Sequence, residues 1–171
     1  MTLAEFNALP SEQAESSLID CCGSARWAAT VAARRPYANA ETLHKAADSV
    51  WWKLDRADWL AAFSQHPQIG DKPATGSESA RHWAEGEQTG ARIASDDLKT
   101  RLARANRAYF EKFGYIYIVC ATGKSAEAML AILNQRLQND VASELSVAAE
   151  QQRLITRIRL DKLLAGELRS T

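Results

Sequence analysis

The fold class of this chain is decided by Ser95–Cys120, SDDLKTRLARANRAYFEKFGYIYIVC. The stretch opens with the helix-capping pattern Ser-Asp-Asp and continues with helix-forming residues to Phe113, after which Gly114 is suited to end a helix. The next six residues, Tyr115–Cys120, are mostly aromatic or β-branched and have the composition of a buried strand. No other window has a comparable run, so such a strand would lack a partner. We therefore predict an all-α protein that buries this segment among helices.

Helix start and stop signals recur along the rest of the chain. Thr2 and Glu5 form a capping-box pattern, and Pro10 closes that first helix. The other predicted starts are Ser11, Ser24, Asn39, Asp55, Ser77, Ser125 and about Ala142, and the other predicted ends are near Gly23, before Pro36, at His66, near Gln88 and before Gly166. At 171 residues the chain has the length of one domain. We predict a single compact multi-helix domain over residues 1–171.

Composition indicates which partners and compartments to expect. Lys plus Arg and Asp plus Glu number 21 each, so no overall field favours nucleic acid or an anionic membrane. We also see no leader segment and no apolar run approaching ~18 residues, so no membrane association is expected. The three cysteines, Cys21, Cys22 and Cys120, include an adjacent pair and lack the Cys-x-x-Cys spacing of a zinc site. An odd count of this kind points to a reducing compartment, and we predict a cytoplasmic protein.

Among the three histidines, His66 is the candidate for chemistry. It ends a predicted helix and precedes a turn-rich stretch, residues 70–76, where a side chain can face a pocket. An imidazole with its ordinary pKa of about 6.5 suits proton transfer at neutral pH. The alternative is that His66 only neutralises the dipole of a helix C-terminus. His44 and His82 lie in helical stretches, where surface or half-buried packing is expected.

Glu87 and Gln88 form a candidate binding pair near a helix end. A carboxylate accepts from N–H groups while an amide both donates and accepts, so together they could hold a planar urea-like or hydantoin-like group. The alternative is a solvated helix face.

Arg159 is a second binding candidate because it falls between Ile155 and Leu163 on one face of the last predicted helix. An arginine in an apolar stripe either extends its charge to solvent, forms an ion pair or grips a carboxylate. Arg153 and Arg157 point elsewhere, and we expect them to be solvated.

Other catalytic patterns are absent from the sequence. Thr122–Ser125 contains Gly-Lys-Ser before a helix, but the phosphate-loop pattern needs Gly at position 118, where the chain has Ile118. We find no His-Glu-x-x-His, dinucleotide fingerprint or Gly-x-Ser-x-Gly pattern. Metal, nucleotide and acyl-enzyme chemistry are therefore disfavoured.

An ordered set of short motifs resembles one enzyme family over nearly the whole chain. The motifs are Cys21-Cys22-Gly23-Ser24-x-Arg26-Trp27-Ala28, Arg35-Pro36-Tyr37, Asp58-Trp59-Leu60-x-Ala62-Phe63, His66-Pro67-Gln68-Ile69-Gly70, Glu87-Gln88, Phe113-Gly114-Tyr115 with Ile118-Val119-Cys120-Ala121, and Arg159-Leu160. Each motif is weak alone, but their order is specific. The chain resembles the decarboxylases of 2-oxo-4-hydroxy-4-carboxy-5-ureidoimidazoline (OHCU), which form (S)-allantoin in the last step of urate oxidation.

The resemblance implies an all-helical homodimer that uses no cofactor and binds OHCU as its small-molecule substrate. It implies that His66 is the catalytic residue and that Pro67 lies beside the substrate. Substrate contacts are implied for Glu87, Gln88 and Arg159. Main-chain contacts are implied for the segment Tyr117, Ile118, Val119, Cys120 and Ala121.

One departure from the family concerns substrate binding. The family often has Ser three residues before the Glu as a substrate contact, and Ala84 occupies that position here. One hydroxyl hydrogen bond would be missing, which weakens binding by about 1 kcal/mol if nothing replaces it.

Two alternatives to this function remain open on the sequence. A cofactor-free lyase or hydrolase could use the same residues on a related ureide. A helical interaction module would instead expose an apolar groove and enclose no pocket around His66, Glu87 and Arg159.

Overall fold

Helices make up most of the part of the chain that the computed structural model describes, residues 1–69, 77–87, 89 and 95–165. They are α1 Leu3–Ala8, α2 Ser11–Cys22, α3 Ala25–Ala32, α4 Ala40–Trp51, α5 Arg56–Phe63, α6 Glu78–Glu87, α7 Asp96–Phe113, α8 Ala126–Arg136 and α9 Val141–Ala165. No strand occurs within these described ranges. The all-α fold predicted from the sequence is therefore confirmed.

Capping hydrogen bonds determine where most of the helices begin. In α1 the predicted capping box forms, since the Glu5 N–H donates to the Thr2 hydroxyl and the Thr2 N–H donates to the Glu5 carboxylate. At six further predicted helix starts the side chain accepts from the N–H three residues later: Ser24, Asn39, Asp55, Ser77, Ser95 and Ser125. Ser11 is the exception, because Pro10 occupies the N-cap of α2 and its carbonyl accepts from the Ala14 N–H.

Glycines end two helices where the sequence predicts it. Gly23 and Gly114 follow α2 and α7 with φ of 83° and 79°, a left-handed conformation that glycine adopts without strain. By contrast, α5 ends at Phe63 rather than at His66. The His66 N–H still donates to the Phe63 carbonyl over 3.1 Å, so His66 lies in a turn that follows the helix.

The described chain forms two compact units. The first contains Met1–Ala62 and the described residues from Arg153 onward, and the second contains Phe63–Gln152. In consequence α9 has residues in both units.

In the first unit, polar contacts join α4 to its neighbours. The indole N–H of Trp27 donates to the Ala47 carbonyl over 3.0 Å, which ties α3 to α4. Asp48 of α4 accepts from both Arg153 and Arg157 of α9, each over 2.9 Å. The prediction that these two arginines are merely solvated is therefore wrong, because both are half-buried and share a carboxylate that is far away in the sequence.

The core of the second unit is built from α7, α8 and the segment between them. Aromatic rings of Phe63, Tyr109, Phe113 and Tyr115 pack together, with centroids 5.5 Å apart for Phe63 and Tyr115 and 4.6 Å apart for Tyr109 and Phe113. After Tyr115 the chain is neither helical nor a strand as far as Ala121, although nearly all of it is buried. A strand-like composition thus serves side-chain packing rather than sheet formation.

Candidate active site

His66 is held in the second unit by a buried glutamine. Its ring Nε2 lies 2.8 Å from Oε1 of Gln152, a residue of α9 with 0% of its surface exposed. The His66 side chain is half-buried, and so is the adjacent Pro67. Pro67 also favours extended backbone conformations at His66. The ring contact with Gln152 and the backbone preference therefore both restrict the position of the imidazole.

Two of the predicted binding positions lie on α6. Ala84 is buried and Glu87 is 9% exposed, and their spacing of three places them on the same face of the helix. A carboxylate is seldom buried unless other groups stabilise it. Gln88, the partner of Glu87 in the sequence prediction, lies outside the described residues.

The charge of Glu87 acts on Cys120, which places the two residues in one neighbourhood. Burial raises the pKa of the Cys120 thiol, the positive charge of Lys124 opposes that shift, and the negative charge of Glu87 adds to it. Cys120 itself is bound at both main-chain groups. Its N–H donates to Oε1 of Gln151 over 3.0 Å, and its carbonyl accepts from Nζ of Lys124 over 2.7 Å.

Adjacent residues of α9 therefore anchor both parts of the candidate site. Gln151 binds the main chain of Cys120, and Gln152 binds the ring of His66. Through these contacts α9 links His66 to the segment 117–121 within the second unit, which also contains Glu87.

Several polar groups of the segment 117–121 have protein partners. The Tyr117 hydroxyl donates to the Met129 carbonyl over 3.2 Å, and the Ile118 carbonyl accepts from Arg136 over 2.7 Å. The main-chain groups of Tyr117 and Val119 have no hydrogen-bond partner within the described part of the chain, although both residues are buried. Buried main-chain groups are nearly always paired, so these two positions are suited to a ligand.

The arginine that binds the Ile118 carbonyl belongs to a buried ion pair. The Arg136 guanidinium contacts the Glu144 carboxylate through Nε at 2.8 Å and Nη2 at 2.5 Å. The Tyr109 hydroxyl also donates to Glu144. Burial raises the pKa of Tyr109 and the hydrogen bond to the carboxylate adds to the shift, so the phenol stays protonated.

Sequence reasoning missed Gln152 and Arg136, although a signal for both is present. Gln152 continues an apolar stripe with Ala148 and Ile155, and Arg136 continues one with Leu133. A polar side chain in such a stripe requires a buried partner, which is the argument that singled out Arg159.

Arg159 belongs to the first unit, where it is 6% exposed. Its Nη1 donates to the Asp20 carbonyl over 3.2 Å. Its charge also reaches Cys22: burial raises the pKa of that thiol to about 12, while a hydrogen bond with Thr156 and the Arg159 charge oppose the shift. Arg159 is thus buried, so the alternative in which its side chain extends its charge to solvent does not apply.

The other two histidines differ from each other. His82 is exposed on α6, in agreement with the expected surface role. His44 is buried rather than at the surface or half-buried, and its Nε2 lies 2.7 Å from Oδ1 of Asp161. The Asp161 carboxylate, distant in sequence, explains why a polar ring is accepted at that position.

Among the described residues, no group of three His, Cys, Asp or Glu side chains is arranged to hold a metal ion. None of the described helices combines the length and the apolar character that crossing a membrane requires.

Comparisons with known proteins agree on one family. The sequence model of OHCU decarboxylase matches residues 7–161. The uric acid degradation bifunctional protein TTL of Arabidopsis thaliana is 36% identical over 149 residues, which cover 86% of this chain and 46% of that protein. The 2-oxo-4-hydroxy-4-carboxy-5-ureidoimidazoline decarboxylase of Amia calva is 28% identical over 138 residues, which cover 80% of this chain and 79% of that protein.

The fold also matches a solved structure. A crystal structure of OHCU decarboxylase in the presence of (S)-allantoin superposes with a TM-score of 0.76 at 32% identity, covering 88% of this chain and 98% of that one. In length, this chain spans about half of the Arabidopsis bifunctional protein.

Proposed function

The chain belongs to the OHCU decarboxylase family, and we propose that it converts OHCU to (S)-allantoin, the last step of urate oxidation in purine breakdown. The observation that carries the proposal is the anchoring of His66 by Gln152 in the unit that also contains the buried Glu87 and the segment 117–121. A candidate proton-transfer group and a candidate binding carboxylate thus share one scaffold.

The substrate needs little more than orientation and proton transfer. Its carboxylate leaves as carbon dioxide when the C–C bond to the ring breaks, and the electron pair of that bond moves toward the adjacent C=N bond, whose nitrogen takes up a proton. The hydroxyl on the same ring carbon then loses its proton and becomes a carbonyl. The ureido-bearing carbon gains a proton and becomes the stereocentre. We propose a reaction without cofactor, since the ring itself accepts the electrons.

His66 is the proposed acid and base of these proton transfers. A positioned imidazole accelerates such steps by roughly 10²–10⁴-fold. Its contact with Gln152 holds the ring in one orientation, so the proton would reach a single face of the substrate. This accounts for one enantiomer of the product, and Pro67 would line the same side of the substrate.

Glu87 and Gln88 are the proposed partners of the ureido and ring amides. Buried Glu87 can accept two N–H groups, and Ala84 on the same face of α6 adds no hydroxyl. Among the main-chain contacts proposed for Tyr117 to Ala121, those of Tyr117 and Val119 have the strongest support, because the main-chain groups of these two buried residues are unpaired in the described chain.

Arg159 is the proposed contact to an anionic or carbonyl group of the substrate. A planar guanidinium suits such a group because it donates two parallel hydrogen bonds. This role follows from the family resemblance, and the burial of Arg159 in the first unit is consistent with a functional rather than a solvated side chain.

Assembly and compartment complete the proposal. We propose that residues 1–171 form one decarboxylase domain, which the family match over residues 7–161 supports. We also propose a homodimer in the cytoplasm, by the family resemblance and because the three buried cysteines are free thiols.

The decisive experiment is a stereospecific assay. Freshly generated OHCU is mixed with the protein, and circular dichroism follows allantoin while released carbon dioxide is measured in parallel. We expect optically active allantoin and one carbon dioxide per allantoin only when the protein is present. A ureide hydrolase would instead cleave a C–N bond, and an interaction module would leave the spontaneous reaction unchanged; either result would refute the proposal.

A further inference from the structure

The contact between His66 and Gln152 specifies more than the position of the ring. An amide oxygen only accepts hydrogen bonds, so the distance of 2.8 Å between Nε2 of His66 and Oε1 of Gln152 favours the tautomer with hydrogen on Nε2. In the neutral imidazole the lone pair is then on Nδ1. The glutamine therefore selects one tautomer of the ring.

A neutral partner differs from the carboxylate that often accompanies a catalytic histidine. A carboxylate would also orient the ring, but its negative charge would stabilise the imidazolium. The amide of Gln152 orients the ring without adding a charge. Complete burial of Gln152 strengthens the selection, because no water competes for Oε1.

The residue next to Gln152 on α9 is also anchored within the second unit. Gln151 accepts from the Cys120 N–H over 3.0 Å, and Lys124 holds the carbonyl of the same residue over 2.7 Å. This turn of α9 is therefore hydrogen-bonded to the segment 117–121. Gln152, in the same turn, contacts His66 from a helix and not from a loop.

We propose that Gln152 is the positioning residue of the active site, which holds His66 as its Nε2–H tautomer and directs the Nδ1 lone pair to act as the base. The proposal rests on the proposed function only for the catalytic consequence. The tautomer itself is a property of the protein without substrate.

The first test needs no variant. In protein labelled with ¹⁵N on histidine, long-range proton–nitrogen correlation spectra identify which ring nitrogen of His66 carries hydrogen when the ring is neutral. We expect Nε2–H. A ring that carries its hydrogen on Nδ1 would overturn the proposal, whatever the activity of the protein.

Two variants then separate orientation from charge. Gln152→Met keeps a similar volume but accepts no comparable hydrogen bond, so we expect both tautomers and a kcat lowered by roughly 10-fold with KM nearly unchanged. Gln152→Glu retains the acceptor and adds a charge. It should keep the Nε2–H tautomer and move the acid limb of the pH profile upward by about one unit.

Both variants leave Glu87 and Lys124 in place, so the charged side chains beside the Cys120 main chain are constant in the comparison. Gln135→Met is the matched control, because Gln135 is an exposed helical glutamine of the same unit. It should match the wild type in tautomer, pH profile and kcat. If Gln152→Met also matches the wild type in all three, the proposal is wrong. If the wild type forms no (S)-allantoin but has the Nε2–H ring, only the proposed function fails.

Discussion

Arg136 donates a hydrogen bond from Nη1 to the main-chain oxygen of Ile118, 2.7 Å away, while the other nitrogens of its guanidinium contact Glu144. The segment proposed to bind substrate is therefore fastened to a buried ion pair. Removing one member of such a pair leaves an uncompensated charge in the interior, which is more destabilising than losing the contact itself.

Breaking the buried Arg136–Glu144 pair should therefore lower the free energy of unfolding more than breaking an exposed ion pair. Since Glu144 has 0% of its surface exposed, we expect Glu144→Ala to lower the free energy of unfolding by about 3–5 kcal/mol. Urea denaturation followed by circular dichroism measures this change. Asp97→Ala is the control, because it breaks an exposed contact with Arg101 at 3.9 Å and should change stability by about 1 kcal/mol or less. Equal effects of the two substitutions would contradict the role of burial.

Catalysis should depend on one histidine. We expect His66→Ala and His66→Asn to lower turnover by roughly 10²–10⁴-fold while the far-ultraviolet spectrum stays unchanged. His82→Ala is the matched control because its ring is exposed on α6, and it should retain wild-type turnover. Near-normal turnover in folded His66→Ala would refute the assignment.

Binding should depend on the charge of Glu87. Glu87→Gln keeps the shape but weakens acceptance of substrate N–H groups, so we expect KM to rise by roughly 10-fold or more. Glu85→Gln removes an exposed charge from the same helix and should leave KM unchanged. Steady-state kinetics of both variants test this, and an unchanged KM in Glu87→Gln would exclude it from binding.

The guanidinium of Arg159 should be needed for its shape as well as its charge. A lysine cannot reproduce two parallel hydrogen bonds, so we expect Arg159→Lys to lower kcat/KM by roughly 10-fold or more. Arg107→Lys, at an exposed position of α7, is the control and should have no effect. Comparable kcat/KM in the two variants would count against a binding role.

Alkaline pH should destabilise the fold through its buried thiol. The pKa of Cys22 is about 12 in the folded protein and 9.0 in the reference state, so folding favours the protonated form. This stability is fully present below pH 9 and is lost as the pH rises toward 12. Urea denaturation at several alkaline pH values should give a steeper loss for the wild type than for Cys22→Ala. Parallel curves would show that Cys22 does not contribute.

Local patterns in the sequence are enough to predict most of the helices and to nominate residues for the candidate site. The hydroxyl of Ser95 and the glycine at 114 set the ends of α7 through hydrogen bonds and dihedral preferences that involve only three or four neighbouring residues. Such local rules can be read without a fold. His66 and Glu87 were identified by the order of motifs along the chain, and their role in catalysis stays a prediction.

Tertiary structure alone decided the partners of the buried polar groups. Gln152 is 86 residues from His66, and Asp48 is 105 residues from Arg153. The apolar stripes of a helix indicate which face is buried, and a polar residue within a stripe needs a partner there. Which partner it obtains depends on the helix faces that pack together in the folded unit. No single segment of the sequence specifies that packing.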